Sequence, residues 1–141
     1  MHDKNNVMIF QKQKLANGQD LIMSFRSTHT AGDRYQVVFE ASIEVQIKVP
    51  FFDNKILSNL NPENVIQLLG DKTSYHYSKT RNFVAREEKD NILEDLKQQF
   101  LESSLAYLSS PVFPLKLIKR NYLAAEKEAV IRIKREAYLN T

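Results

Sequence analysis

Cysteine and tryptophan are absent from the 141-residue chain, glycine occurs three times and proline four. Without cysteine there is no thiol nucleophile, no thiolate metal ligand and no disulfide, which fits a reducing compartment. Three glycines cannot assemble a phosphate-cradling loop of the GxGxxG or GxxxxGK[ST] type. Long apolar runs are missing too: none approaches the roughly 20 residues that a bilayer-spanning helix needs. The apolar core of a signal peptide does not follow Met1-His2-Asp3-Lys4-Asn5-Asn6. These absences lead us to expect a soluble, cytoplasmic protein with no membrane partner and with residues 1–6 disordered.

What is present is the composition of a folded domain. Hydrophobic residues make up 43% and charged residues 26%, with a formal net charge of +3. A chain of this length buries roughly 65–70% of its unfolded surface and needs no metal or disulfide staple. We therefore expect a single domain over residues 1–141.

The first half reads as strands. Val7–Leu15 and Gln19–Arg26 flank Asn17-Gly18, a pair suited to a two-residue type I′ turn. Thr30-Ala31-Gly32-Asp33 marks a second turn. From Tyr35 to Val49 the odd positions are Tyr, Val, Phe, Ala, Ile, Val, Ile and Val, while the even ones are polar except Val38. That period of two predicts a half-buried strand ended by Pro50. At about 3.3 Å per residue it would reach roughly 50 Å, against a diameter near 37 Å for a compact domain of this size. Such a strand either bends, near Ala41-Ser42, or pairs with another chain.

The second half reads mainly as helix. Asn61-Pro62-Glu63 supplies an N-cap, a proline at the first position and a first-turn acid for a helix that stops at Gly70. Residues 73–85 follow as a strand or small hairpin. A long helix is predicted over Glu87–Ser109, with Ile92, Leu93, Leu96, Phe100, Leu101, Leu105 and Leu108 in a broad apolar stripe. Past Pro111 and Pro114 a basic helical extension occupies 111–141, its helix running from Leu115 or Lys119 to Asn140; residues 129–134 could equally alternate as a strand. The order βββ-α-β-α-α predicts an α+β fold, in which a three-strand antiparallel meander and one later strand or hairpin carry two or three helices on one face. Charge is divided between the last two helices. Residues 87–110 hold two lysines against six acids, a balance of −4. Residues 111–141 hold seven cations against three acids, a balance of +4.

No constellation with the spacing of a catalytic or metal site stands out. His2, His29 and His76 have no second histidine at ligand spacing, and HExxH, GxSxG and paired carboxylates are missing. His29, Asp33 and Glu40 around the second turn, or Asp33 with Glu44, Gln46 and Lys48 around a divalent ion, are what a catalytic reading would have to use. Polar residues at a turn and on a half-exposed strand explain both sets as well. We expect no enzyme, no cofactor and no small-molecule substrate.

Two binding readings remain. Tyr75, Tyr77, Lys79, Arg81 and Phe83 share one strand face, so Tyr75 and Tyr77 could stack on unpaired bases while Lys79, Arg81 and Arg86 meet phosphates. The alternative is a protein–protein contact or homo-oligomer, built on the long strand's edge or on Phe51, Phe52, Tyr122, Arg132, Ile133 and Arg135. Phe51 and Phe52 are adjacent, and on extended backbone both cannot enter one core. The expected function is thus a non-catalytic macromolecule-binding domain, most simply a self-assembly or protein-interaction module, with nucleic-acid binding as the alternative. Strands, a long helix and then Ser109-Ser110-Pro111-Val112-Phe113-Pro114-Leu115-Lys116-Leu117 is an order similar, over a short stretch, to the tail of SecB-type export chaperones. The aromatic-proline-tyrosine-arginine signature of that family and its acidic character are missing, so no membership is taken from it.

Overall fold

The computed structural model describes residues 6–140. His2 and most of the segment expected to be disordered lie outside them; Asn6, which is described, accepts the backbone N–H of His29 (3.0 Å). Four strands, β1 (Val7–Lys14), β2 (Asp20–Ala31), β3 (Arg34–Gln46) and β4 (Lys72–Ala85), form one sheet in the order β1-β2-β3-β4. Three helices accompany them: α1 (Pro62–Leu69) between β3 and β4, then α2 (Lys89–Leu108) and α3 (Phe113–Leu139). This is the predicted α+β class and element order. The chain forms two compact units, one of the residues up to Ile43 with Tyr75–Pro111, the other of Glu44–Ser74 with the residues from Val112 onward.

In the first unit the alternation along β3 fixes which face is buried. Tyr35, Val37, Phe39, Ala41 and Ile43 are all at most 1% exposed. Antiparallel pairing sets Phe39 opposite Phe25, and the two rings lie 5.4 Å apart. Phe100 of α2 meets Phe39 at 5.5 Å and Tyr77 at 4.7 Å, so α2 covers this face through a cluster of four rings. β3 is shorter than predicted and lies between β2 and β4, so both its edges are engaged within the chain. The ladder to β2 passes through Ala41 and Ser42 without irregularity, its one shift falling between His29 and Ala31. Neither the expected bend nor a second chain is needed to partner β3. The overhang estimate set one strand against a domain diameter, but β3's neighbours match its length at 12 and 14 residues.

The first turn differs from the type I′ expectation. Only Gly18 takes positive φ, at 87°, and Asn17 does not. Leu15 N–H donates to Gln19 O (2.8 Å) and closes a longer loop. The reason lies in the Asn17 side chain. Its Nδ2 donates to Leu108 O and Ser110 O, both at 2.8 Å, while its Oδ1 accepts the Gln19 N–H. Asn17 thereby satisfies carbonyls left open at the end of α2. Asn17→Ala is expected to cost about 1–3 kcal/mol, because buried acceptors lose their donor. Chemical denaturation checks this, and a loss below about 0.5 kcal/mol, the size of an ordinary surface change, would contradict it.

β4 is one continuous strand, not a hairpin, and it loses its alternation near its end. Phe83 has φ 58° and is 80% exposed, while the following Val84 is buried. Phe83 therefore does not share a face with Tyr75 and Tyr77. A bulky side chain is strained in the left-handed region, by about 1–3 kcal/mol. Phe83→Gly, which loses little burial, is expected to raise stability by about 0.5–1.5 kcal/mol once the entropy of the added glycine is subtracted. A lowered denaturation midpoint would refute that account.

In the second unit Asn61 caps α1 as predicted, its Oδ1 accepting from Glu63 N (2.8 Å) and Asn64 N (3.4 Å). α1 packs on α3. Residues 129–134 are helical. In the first ten residues of α3, Phe113, Pro114, Leu115, Leu117, Ile118 and Tyr122 are all buried. Asn121 Nδ2 donates to Thr73 Oγ1 (2.7 Å) and Ser74 O (3.1 Å), tying α3 to the start of β4.

Candidate functional site: an uncovered sheet edge

β1 begins with four consecutive apolar residues, Val7-Met8-Ile9-Phe10, and continues as Gln-Lys-Gln-Lys. In a strand, consecutive side chains point to opposite faces. All four are nevertheless exposed, at 40, 52, 55 and 64%. A strand apolar on both faces is normally one covered on both faces; here neither face is covered. Ile9 lies beside Phe25 and Leu93 on the α2 side, while Met8 and Phe10 border a shallow depression with Ile22, Ser24 and His76 on the other.

The backbone of β1 is also open. β1 is the first strand in the sheet order and, among the described residues, pairs with β2 alone. The Leu15–Gln19 bond directs the odd residues of β1 towards β2 and, by antiparallel alternation, turns the N–H and C=O groups of Met8, Phe10, Lys12 and Lys14 to the free edge. Edge strands are usually guarded by charge. Lys12 and Lys14 guard one half of this edge, and Val7–Phe10 leave the other half unguarded.

The two lysines are held in place by Asp20, at 3.5 Å from Lys12 and 2.8 Å from Lys14. The hydrogen bond from Lys14, with the charges of Lys12 and Lys14 behind it, holds the Asp20 carboxyl below the usual carboxylate range, against some desolvation. A lowered native pKa stabilises the fold above the unfolded pKa, and that contribution is lost as pH falls through the native value. Lys14→Gln should therefore move the Asp20 titration upward, as read by carboxyl NMR; an unmoved midpoint would mean that Lys14 is not the cause.

The residues singled out from the sequence fall elsewhere. Tyr77 is committed to the ring cluster with Phe39 and Phe100, and Tyr75 is half-buried. Lys79 and Arg81 are exposed on β4; the guanidinium carbon of Arg86 lies 5.9 Å from the Tyr35 ring, which Lys89 also approaches at 4.5 Å. Phe52 is buried and Phe51 half-buried, in a 3-10 turn over Val49–Asp53 instead of extended backbone. Tyr122 is buried and its hydroxyl donates to Glu126 (2.9 Å), which raises the Tyr122 pKa. Arg132, Ile133 and Arg135 are exposed on α3. His29 bonds the Gly32 carbonyl through its ring and meets Tyr35 edge-on, a turn contact. Glu44 pairs with Lys72 (3.4 Å) and Glu40 with Arg26 (3.8 Å). Among the described residues no group of three or more His, Asp or Glu side chains could hold a metal ion. Among the same residues no helix is long and apolar enough to cross a membrane.

Sequence reading missed β1 as a site because it was counted only as a hairpin arm. The signal was four apolar residues in a row, without alternation, at a strand that ends a sheet. Fold and edge together define the class: an α+β protein presenting an apolar, unpaired edge strand. Comparison finds no matching family model, no matching curated protein and no matching solved structure.

Proposed function

We propose that the protein is a non-catalytic self-assembly module in which β1 of one copy adds to β1 of a second, extending the sheet. The observation that carries this reading is the exposure of Val7–Phe10 on both faces of an unpaired edge. Strand addition satisfies the outward backbone groups of Met8 and Phe10 and sets the four side chains against those of the second copy, covering their flanks. Full burial of such a side chain contributes about 1.5–3 kcal/mol. For four half-exposed residues from each of two copies the upper limit is on the order of 6–12 kcal/mol, comparable with the cost of association. Assembly then depends on the apolar patch being intact. Phe10→Asp tests it: the variant is expected to fold normally and to be monomeric where the parent associates.

Nucleic-acid binding is the weaker reading. Lys79 and Arg81 are available for phosphates, but the half-buried Tyr77 ring is engaged with Phe39 and Phe100, which leaves less of it to stack on a base. Lys79→Ala with Arg81→Ala is therefore a suitable control that leaves assembly unchanged.

A further inference from the structure

The charge division seen in the sequence is not resolved within the chain. Among the described residues, none of the α2 carboxylates and none of the α3 cations forms an ion pair; every ion pair involves turns or strands. The C-terminal half of α3 is also uncovered, with Ile133 65% and Leu139 79% exposed. On it Ile131 and Leu139 form an apolar floor beside Lys134 and Arg135. In the other unit, Ile9, Phe25 and Leu93 line an apolar cleft that borders Asp90 and Glu94. Each surface joins an apolar floor to charge of a single sign, and the two signs are opposite.

We propose that the C-terminal half of α3 docks on the α2 surface of a second copy, Lys134 and Arg135 facing Asp90 and Glu94. A second copy is the occupant because both charged sets are unpaired within one chain, and each copy carries both halves of the contact. The proposal rests on the self-assembly reading only in taking a second copy as partner; apart from Ile9, it uses residues outside the β1 edge. Apolar floors supply the attraction, and the charges set register and partner choice.

Charge reversal on the full chain tests it, with light scattering at about 50 mM and about 500 mM salt, where screening differs strongly. Asp90→Lys with Glu94→Lys, and separately Lys134→Glu with Arg135→Glu, should each weaken association about tenfold at low salt. These side chains are exposed, so folding should be retained, and circular dichroism verifies it; Asp90→Asn with Glu94→Gln serves if the reversal does not fold. Mixing the two reversed variants in equal amounts should recover association, since in a mixed pair each α3 meets an α2 surface of opposite sign. Association equal to the parent in either variant, failure of the mixture to recover, or a parent that never associates would overturn the proposal. Loss in Phe10→Asp with no effect of charge reversal would overturn this docking and leave β1 pairing standing. The opposite pattern would reject β1 pairing and keep the docking.

Discussion

Phe39→Ala is expected to destabilise the protein by about 3–5 kcal/mol, the range for removing a fully buried ring. Phe39 is 0% exposed and its ring meets Phe25, Tyr77 and Phe100. It joins β2, β3, β4 and α2, so no single neighbour can move into the space without leaving another contact. Domains of this kind have about 5–15 kcal/mol of total stability, and the loss is therefore a large part of it. Urea denaturation of parent and variant gives the value. A change under about 1.5 kcal/mol, typical of volume-conserving swaps, would mean that the ring cluster is not the centre of the first unit.

Phe10→Asp should act in the opposite way, leaving folding stability within about 0.5 kcal/mol, as for surface substitutions, while weakening association by about a hundredfold or more. The side chain is 64% exposed, so its loss removes little from the monomer. In an assembled sheet the same position would lie against the apolar side chains of the second copy, where a carboxylate is partly desolvated without a partner. Unfolding of the variant, or association equal to the parent, would contradict the assignment of β1 as an interface.

Much of the fold was legible because local and tertiary requirements agree. The alternation from Tyr35 onward marks the buried face of β3, and Asn61-Pro62 followed by Gly70 bounds α1 nearly to the residue. Of the broad stripe expected on α2, Leu93, Leu96, Phe100 and Leu108 are buried, while Ile92, Leu101 and Leu105 at its margins are only half-buried. Where they disagree, tertiary structure decided. Asn17 gives up the two-residue turn to donate to Leu108 and Ser110, partners more than ninety positions away. Phe83 turns outward at positive φ so that Val84 is the buried residue, which no periodicity could foresee. The basic and aromatic run from Tyr75 to Arg86 reads as a binding stripe on an isolated strand. In the sheet, the half-buried Tyr77 packs its ring against Phe39 and Phe100. The β1 edge was hidden for a different reason: whether a strand is an edge is set by sheet order, and sheet order is a long-range property. Exposure of Val7–Phe10 follows only once β1 is known to have one neighbour.

Solution mass of the parent and of Phe10→Asp, measured by light scattering across a concentration series at low and high salt, tests the central claim most directly. The account predicts that the parent reaches at least twice the mass of one chain, with a component that persists at high salt because the β1 contact is apolar. Phe10→Asp loses that component. A parent that is monomeric at every concentration and salt, or a variant indistinguishable from it, would contradict β1 as the assembling edge.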